Sequence, residues 1–194
     1  MSKIASVYAR EILASGANPT LEAEVVLESG ARGIASVPYG ASAGIHEATV
    51  LLDEDKSRYN GKGMLKAIGH INGEISEALV GMDADDQRAI DNRMIELDGT
   101  PNKARFGGNA ILGVSLAVAH AMAEEKGMPL YRYIREVYNL GITEYRLPNP
   151  MMVVIEGGKH ADNSTDFQEY IVSAFGKDTA KENVRMGIEI YQTL

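Results

Sequence analysis

Two stretches of this 194-residue chain carry side chains that can do chemistry. The first is "IEGGKHADNSTDFQEY", residues 155–170. It sets a Gly-Gly turn, Lys159 and His160 directly after an apolar run, then returns through Gln168 and Glu169. It thus gathers an imidazole, an amide and a carboxylate beside one turn. Residues at strand ends that open into loops are common positions for sites. Read by residue type alone, the stretch serves equally well as a surface loop. The second is "VPYGASAGIHEA", residues 37–48, where a proline stops an apolar run and Gly, Ala and Ser then dominate. So much backbone beside so little side chain, next to His46 and Glu47, raises the question of what the stretch must accommodate. A flexible connection with no further role is the plainer alternative. His70 and His120 fall inside helical patterns and read as exposed or hydrogen-bonded residues.

The elements that position these stretches follow from hydrophobic spacing. "IASVYAREIL" (4–13), "PTLEAEVVLES" (19–29) and "IASVP" (34–38) partly alternate and are separated by short turns. Two short turns in succession predict an antiparallel meander, because parallel pairing needs a long crossover. Residues 63–81, 83–99, 108–127 and 129–141 read as helices, with Gly99 and Gly127 as C-caps and Pro129 at a first helical position. The Gly, Ala and Ser content of 108–127 predicts a buried helix in close contact with its neighbours. After a linker at 143–150, "MMVVIEGG" (151–158) reads as a strand covered on both faces. A strand at 166–176 and a helix at 178–194 follow. The fold class expected is α+β, with a first domain over 1–145 and a second unit over 146–194.

Composition narrows the function. A net charge of −8 disfavours nucleic acid as a partner. There are no cysteines, which removes a disulfide framework, a thiol nucleophile and a Cys-ligated metal site. The start lacks the apolar core of a signal peptide, and the longest apolar run, 109–123, is too short and interrupted to span a bilayer. A cytoplasmic protein is expected. No P-loop, dinucleotide fingerprint, HExxH, EF-hand or GxSxG pattern occurs.

Longer blocks carry a resemblance. "AREIL…NPT" (9–20), "VPYGASAGIHEA" (37–48), "YNGKGMLKAIGHIN" (59–72), "LDGTPNKARFGGNAILGVSLAVAHAMAEEKGMPLYRYI" (97–134), "LPNPMMVVIEGGKHA" (147–161) and "QEY" (168–170) make the chain similar to the N-terminal part of the enolases, the phosphopyruvate hydratases of glycolysis. The resemblance implies an enolase N-terminal-like lid domain, a three-stranded meander followed by helices. That domain leads into the first two strands and first helix of a modified β/α barrel of the TIM type. It also implies a magnesium-dependent, reversible dehydration of 2-phospho-D-glycerate to phosphoenolpyruvate. Carried over by position, the Gly-Ala-Ser loop closes on substrate through Gly40 and Ala41, and Ser42 contributes to a magnesium ion. His160 and Glu169 assist at the leaving hydroxyl and contact substrate, and Gln168 binds substrate. A homodimer is implied too, although "ASGANPT" (14–20) lacks the arginine of the family's usual interface.

Tyr39 and Ala43 replace a serine and a threonine of the family's loop, and Glu156 and Lys159 stand where Asn and Ser are common. The latter two could pair with each other or alter charge at the mouth of the site. The resemblance places the basic lysine, the principal acid and the main metal ligands further along the barrel, so an incomplete chain is expected. A naturally short, non-catalytic binding or scaffold protein, or a lyase for another carboxylate, are the alternatives. By this reading the 194-residue chain alone forms no enol-phosphate absorbance from 2-phosphoglycerate. Calorimetry on it should find no tight magnesium site, since a hard cation takes about six or more oxygen ligands.

Overall fold

The computed structural model describes residues 2–38, 40 and 44–194. Its first strands are β1 (Ile4–Leu13), β2 (Pro19–Leu27) and β3 (Arg32–Val37), paired antiparallel in that order. Ile4 faces Leu27 and Leu13 faces Pro19 across the first pair, with an irregularity between Ile4 and Ser6. Leu21 faces Val37 across the second. Alternation sorts the side chains: Val7, Ala9, Leu21, Ala23, Val25, Ala35 and Val37 are buried together. The opposite face carries Arg10, which pairs with Glu22 and with Glu24 at 3.1 Å, and Arg32, whose Nε lies 2.8 Å from Glu24. The hydrogen bond from Arg32, opposed by burial and assisted by Arg10, holds the Glu24 carboxyl below the usual carboxylate range.

The expected helix over 63–81 is interrupted. It runs as α1 (Leu65–His70), a wide π turn over Ile71–Ile75, and α2 (Ser76–Leu79), with Gly73 outside helical geometry. The edge strand supplies a physical reason. Asn72 in the wide turn accepts from the Ala9 N–H at 2.7 Å and donates to the Ala9 carbonyl at 3.0 Å. The open side of β1 is thereby paired locally, as an edge strand requires. Helix α3 (Gln87–Asp98) begins at Asp86, whose carboxylate accepts from the Ala89 N–H at 3.0 Å. It ends at Gly99 in the left-handed conformation (φ 67°), the C-cap expected there.

Helix α4 (Gly108–Glu125) lies across β2 and β3, and α5 (Leu130–Val137) follows Pro129. Pro129 itself is extended and precedes the helix. The small residues of α4 do what their size implies. A Cβ on Gly33 of β3 would stand 1.9 Å from the Ala117 carbonyl oxygen and 2.3 Å from the Ala121 nitrogen. A Cβ on Gly113 of α4 would sit 3.0 Å from Leu21 Cδ1. Helix and sheet meet at backbone distance here.

Residues 142–194 form a second compact unit, and residues 1–141 the first. In the second, β4 (Met151–Glu156) and β5 (Glu169–Ser173) pair antiparallel, and α6 (Ala180–Thr193) follows. Thr179 caps α6 by accepting from the Glu182 N–H at 3.2 Å. Gly187 of α6 sits against Met152, whose Sδ would be 2.6 Å from an added Cβ. The expectation that β4 is covered on both faces fails within this unit. Met151 is 72% exposed and Ile155 52% exposed. Helix α6 packs at Met152, and no other described element of the unit lies over the alternate residues. Among the described residues, no helix is long and apolar enough to cross a membrane.

Two glycine substitutions separate close approach from mere helix composition. Gly33→Ala should lower the unfolding free energy by the upper end of about 1–3 kcal/mol, because backbone atoms of α4 must yield. Gly69→Ala, where an added Cβ meets nothing within 4 Å in α1, should raise it by about 0.5–1 kcal/mol. Paired denaturant titrations read both signs.

Candidate functional site

In the first unit the small-residue loop is held at both stems. On the incoming side the Thr20 hydroxyl, buried, donates to the Val37 carbonyl at 2.6 Å. On the outgoing side the start of α4 does the holding. Asn109 accepts from the Leu51 N–H at 3.1 Å and donates to the Leu51 carbonyl at 3.3 Å. The Gly108 N–H donates to the Thr49 carbonyl at 2.7 Å. The glycines before Asn109 leave room for this: a Cβ on Gly107 would meet Leu51 Cβ at 2.6 Å, and one on Gly108 would meet Ala48 Cβ at 2.7 Å. Nearer the tip, the Gly44 N–H donates to Glu47 Oε1 at 2.6 Å. Gly40 borders a hollow of about 470 Å³ floored by Val37, Ile111 and Leu112. Ala41 and Ser42, assigned to substrate and metal, lie outside the described residues, as do Tyr39 and Ala43. The anchors Thr20 and Asn109 were not singled out from sequence. A buried-type helix that opens on Gly-Gly-Asn is the signal that pointed to the second.

In the second unit the structure brings His160, Gln168 and Glu169 together. The strands β4 and β5 end their ladder with Glu156 opposite Glu169, and the Gly157 N–H extends it by donating to the Gln168 carbonyl at 2.8 Å. The chain then turns. Gly158 takes φ 54°, its N–H donates to the Thr165 carbonyl at 2.7 Å, and the His160 N–H donates back to the Gly157 carbonyl at 2.9 Å. The loop's far side is closed by the Ser164 hydroxyl on the Glu156 carbonyl at 2.9 Å. This turn swings the imidazole over the end of the ladder.

There His160 Nδ1 lies 3.1 Å from Glu169 Oε1 and 3.8 Å from Glu156 Oε2. The Gln168 amide nitrogen is 3.1 Å from His160 Nε2. With the Gln168 amide nitrogen as the donor, Nε2 is the acceptor, and this assignment puts a ring proton on Nδ1, toward the carboxylates. All three groups remain partly exposed and open to a ligand. Glu156 was noted in sequence only as a departure with Lys159; the structure turns it to His160. Among the described residues no ion pair joins Glu156 to Lys159. The other histidines behave blandly: His120 is exposed, and His70 packs on Phe106 with ring centroids 5.1 Å apart.

Comparison with known families matches both units. The model described as "Enolase, N-terminal domain" matches residues 4–134, and "Enolase, C-terminal TIM barrel domain" matches residues 144–194.

The turn that aims His160 depends on the absence of a side chain at Gly157, where a Cβ would meet the Phe167 carbonyl oxygen at 2.3 Å and Thr165 Cγ2 at 2.6 Å. Gly157→Ala should therefore part the loop from the start of β5. Hydrogen exchange at the Gly158 and His160 amides should rise at least about tenfold, while β1–β3 amides stay as protected as before.

Proposed function

The chain belongs to the enolase family, a lyase-type enzyme family, and from that premise we propose that it serves the reversible dehydration of 2-phospho-D-glycerate to phosphoenolpyruvate. The observation that carries the reading is the grouping of Glu169, His160 and Gln168 at one end of the β4–β5 ladder. These are the side chains that the family's pattern assigns to substrate and to the departing hydroxyl.

The reaction removes a proton from the carbon beside a carboxylate and expels hydroxide from the next carbon. Hydroxide is a poor leaving group, so the C–O bond breaks readily only if an acid delivers a proton to that oxygen as it departs. Glu169 is the residue we assign beside that oxygen. His160 contacts it through Oε1, which leaves the second carboxyl oxygen for the substrate hydroxyl. Gln168 is already committed through its amide N–H to His160 Nε2, and its carbonyl oxygen remains for a substrate hydroxyl. The family's pattern also assigns Gly40 and Ala41 to substrate and Ser42 to a cation, on the small-residue loop whose stems Thr20 and Asn109 fix.

Enolases generally use magnesium, which stabilises the negative charge developing at the substrate carboxylate. Among the described residues no group of three or more His, Asp or Glu side chains is arranged to hold a metal. A lone hydroxyl such as Ser42 falls far short of a hard cation's ligand shell. The described residues do not fit a magnesium site, and no step is drawn through one.

Following enol-phosphate absorbance on the protein as its cell makes it, with 2-phosphoglycerate and magnesium, tests the assignment. Glu169→Gln should lower kcat by roughly 10²-fold, the lower end of the range for acid–base assistance, since the resemblance places the principal acid elsewhere, with a smaller change in KM. Failure of the unaltered protein to form the enol-phosphate would exclude the reaction; an unchanged kcat in Glu169→Gln would exclude the role.

A further inference from the structure

The cross-strand partner of Glu169 is a second carboxylate, Glu156. Like charges placed directly opposite in an antiparallel pair repel, and nothing in strand propensity favours glutamate twice at one rung. The imidazole of His160 lies against both, its Nδ1 3.1 Å from one carboxylate and 3.8 Å from the other. Its remaining nitrogen is occupied by the Gln168 amide. The backbone makes this a single unit. Glu156 closes β4, Glu169 opens β5, and the Gly157–His160 turn carries the ring back over the rung where they meet.

The arrangement has a consequence for the reaction assigned above, on which this inference rests. Glu169 holds His160 through Oε1 and has its second oxygen for the substrate hydroxyl, and a rotation of the carboxylate toward substrate would draw Oε1 away from the ring. When it turns to the substrate, the Nδ1 proton loses its nearer acceptor. A ring with no acceptor there is free to rotate or to move its proton to Nε2, and the Gln168 amide would then face a donor with a donor. We propose that Glu156 is a positioning residue: it takes over the Nδ1–H of His160 when Glu169 engages substrate, and so keeps the ring in its Nδ1–H tautomer and Gln168 in its binding orientation. No covalent step is involved. The Nδ1–H bond stays intact and only its acceptor changes, from Glu169 Oε1 to Glu156 Oε2. Lys159, the neighbouring charged group of the loop, makes no described ion pair that would draw Glu156 away.

Glutamine retains a carbonyl acceptor where methionine does not, so the two substitutions at position 156 separate an acceptor role from a charge role. The tautomer is read by ¹⁵N spectra of the ring nitrogens in the 194-residue chain, with His160 identified by its loss in His160→Gln. Glu169→Met alone should keep His160 protonated at Nδ1, because Glu156 accepts. Glu156→Met with Glu169→Met should shift the Nδ1–H to Nε2–H ratio by on the order of fivefold toward Nε2–H, the worth of one partly exposed charged contact. Restoring Glu156→Gln in that background should recover the Nδ1–H form. Loss of the Nδ1–H form in Glu169→Met alone, or its persistence in the double Met variant, overturns the proposal. So does an unrecovered ratio with Glu156→Gln. In the active protein, Glu156→Met should lower kcat roughly fivefold with KM little changed, and an equal fall in both Met and Gln variants counts against the acceptor role. The spectra do not depend on turnover. A chain that passes them while the protein forms no enol-phosphate refutes the reaction and leaves the clamp standing.

Discussion

The first unit is organised by one contact, the backbone of α4 resting on Gly33 of β3. At that distance a side chain has no room, so helix and sheet are held by shape rather than by interdigitated large residues. The consequence spreads along α4. Ala110, Val114, Ala117, Val118 and Ala121 are all fully buried, and the helix reaches the sheet as a slab of small atoms in dense contact. A helix fixed so closely has little freedom to slide, and its N-terminus is therefore a reliable anchor. That end carries Asn109 and the glycines that grip Thr49 and Leu51. The position of the small-residue loop is in this sense set by Gly33, from the far side of the helix.

Fixed stems and small residues work in opposite directions, and the proposed role of this loop would draw on both. Thr20 and Asn109 remove freedom where the loop leaves the body of the unit. Gly40, Ala41 and Gly44 add no bulk between those points. Closing a loop with fixed ends costs less conformational entropy than ordering a free segment, because the ends have already been brought together.

Much of this was legible in the sequence where a single local rule governed the residues. Partial alternation and short turns marked β1–β3, Gly99 announced the end of α3, and small-residue content gave the burial of α4. Legibility stopped where a distant partner decided the outcome. The wide turn at Ile71–Ile75 exists beside Ala9, more than sixty residues away, and helical spacing alone reads straight through it. The apolar run of β4 promised two covered faces, but periodicity reports what a strand can bury and not what lies over it. His160, Gln168 and Glu169 were singled out because the resemblance pointed to them, and the structure brings them together. Residue types alone left that loop evenly balanced with an ordinary surface turn.

Glu156 shows why a departure from a family's usual residue is best judged at its rung. Considered along the chain, its nearest charge of opposite sign is Lys159, and a short-range pair is the natural guess. Strand geometry excludes that as the main contact, because a residue inside a ladder projects toward its cross-strand partner and its same-face neighbours, not along the turn that follows. The rung places Glu156 opposite Glu169, and the turn then returns His160 to the same spot. A carboxylate placed there with no imidazole would repel its partner; with the imidazole the two carboxylates share one ring nitrogen, nearer to Glu169 and farther from Glu156. Lys159 is left as a charge at the loop's surface rather than as the glutamate's counter-ion. The substitution therefore places its carboxylate beside His160, the histidine that the proposed function assigns to substrate.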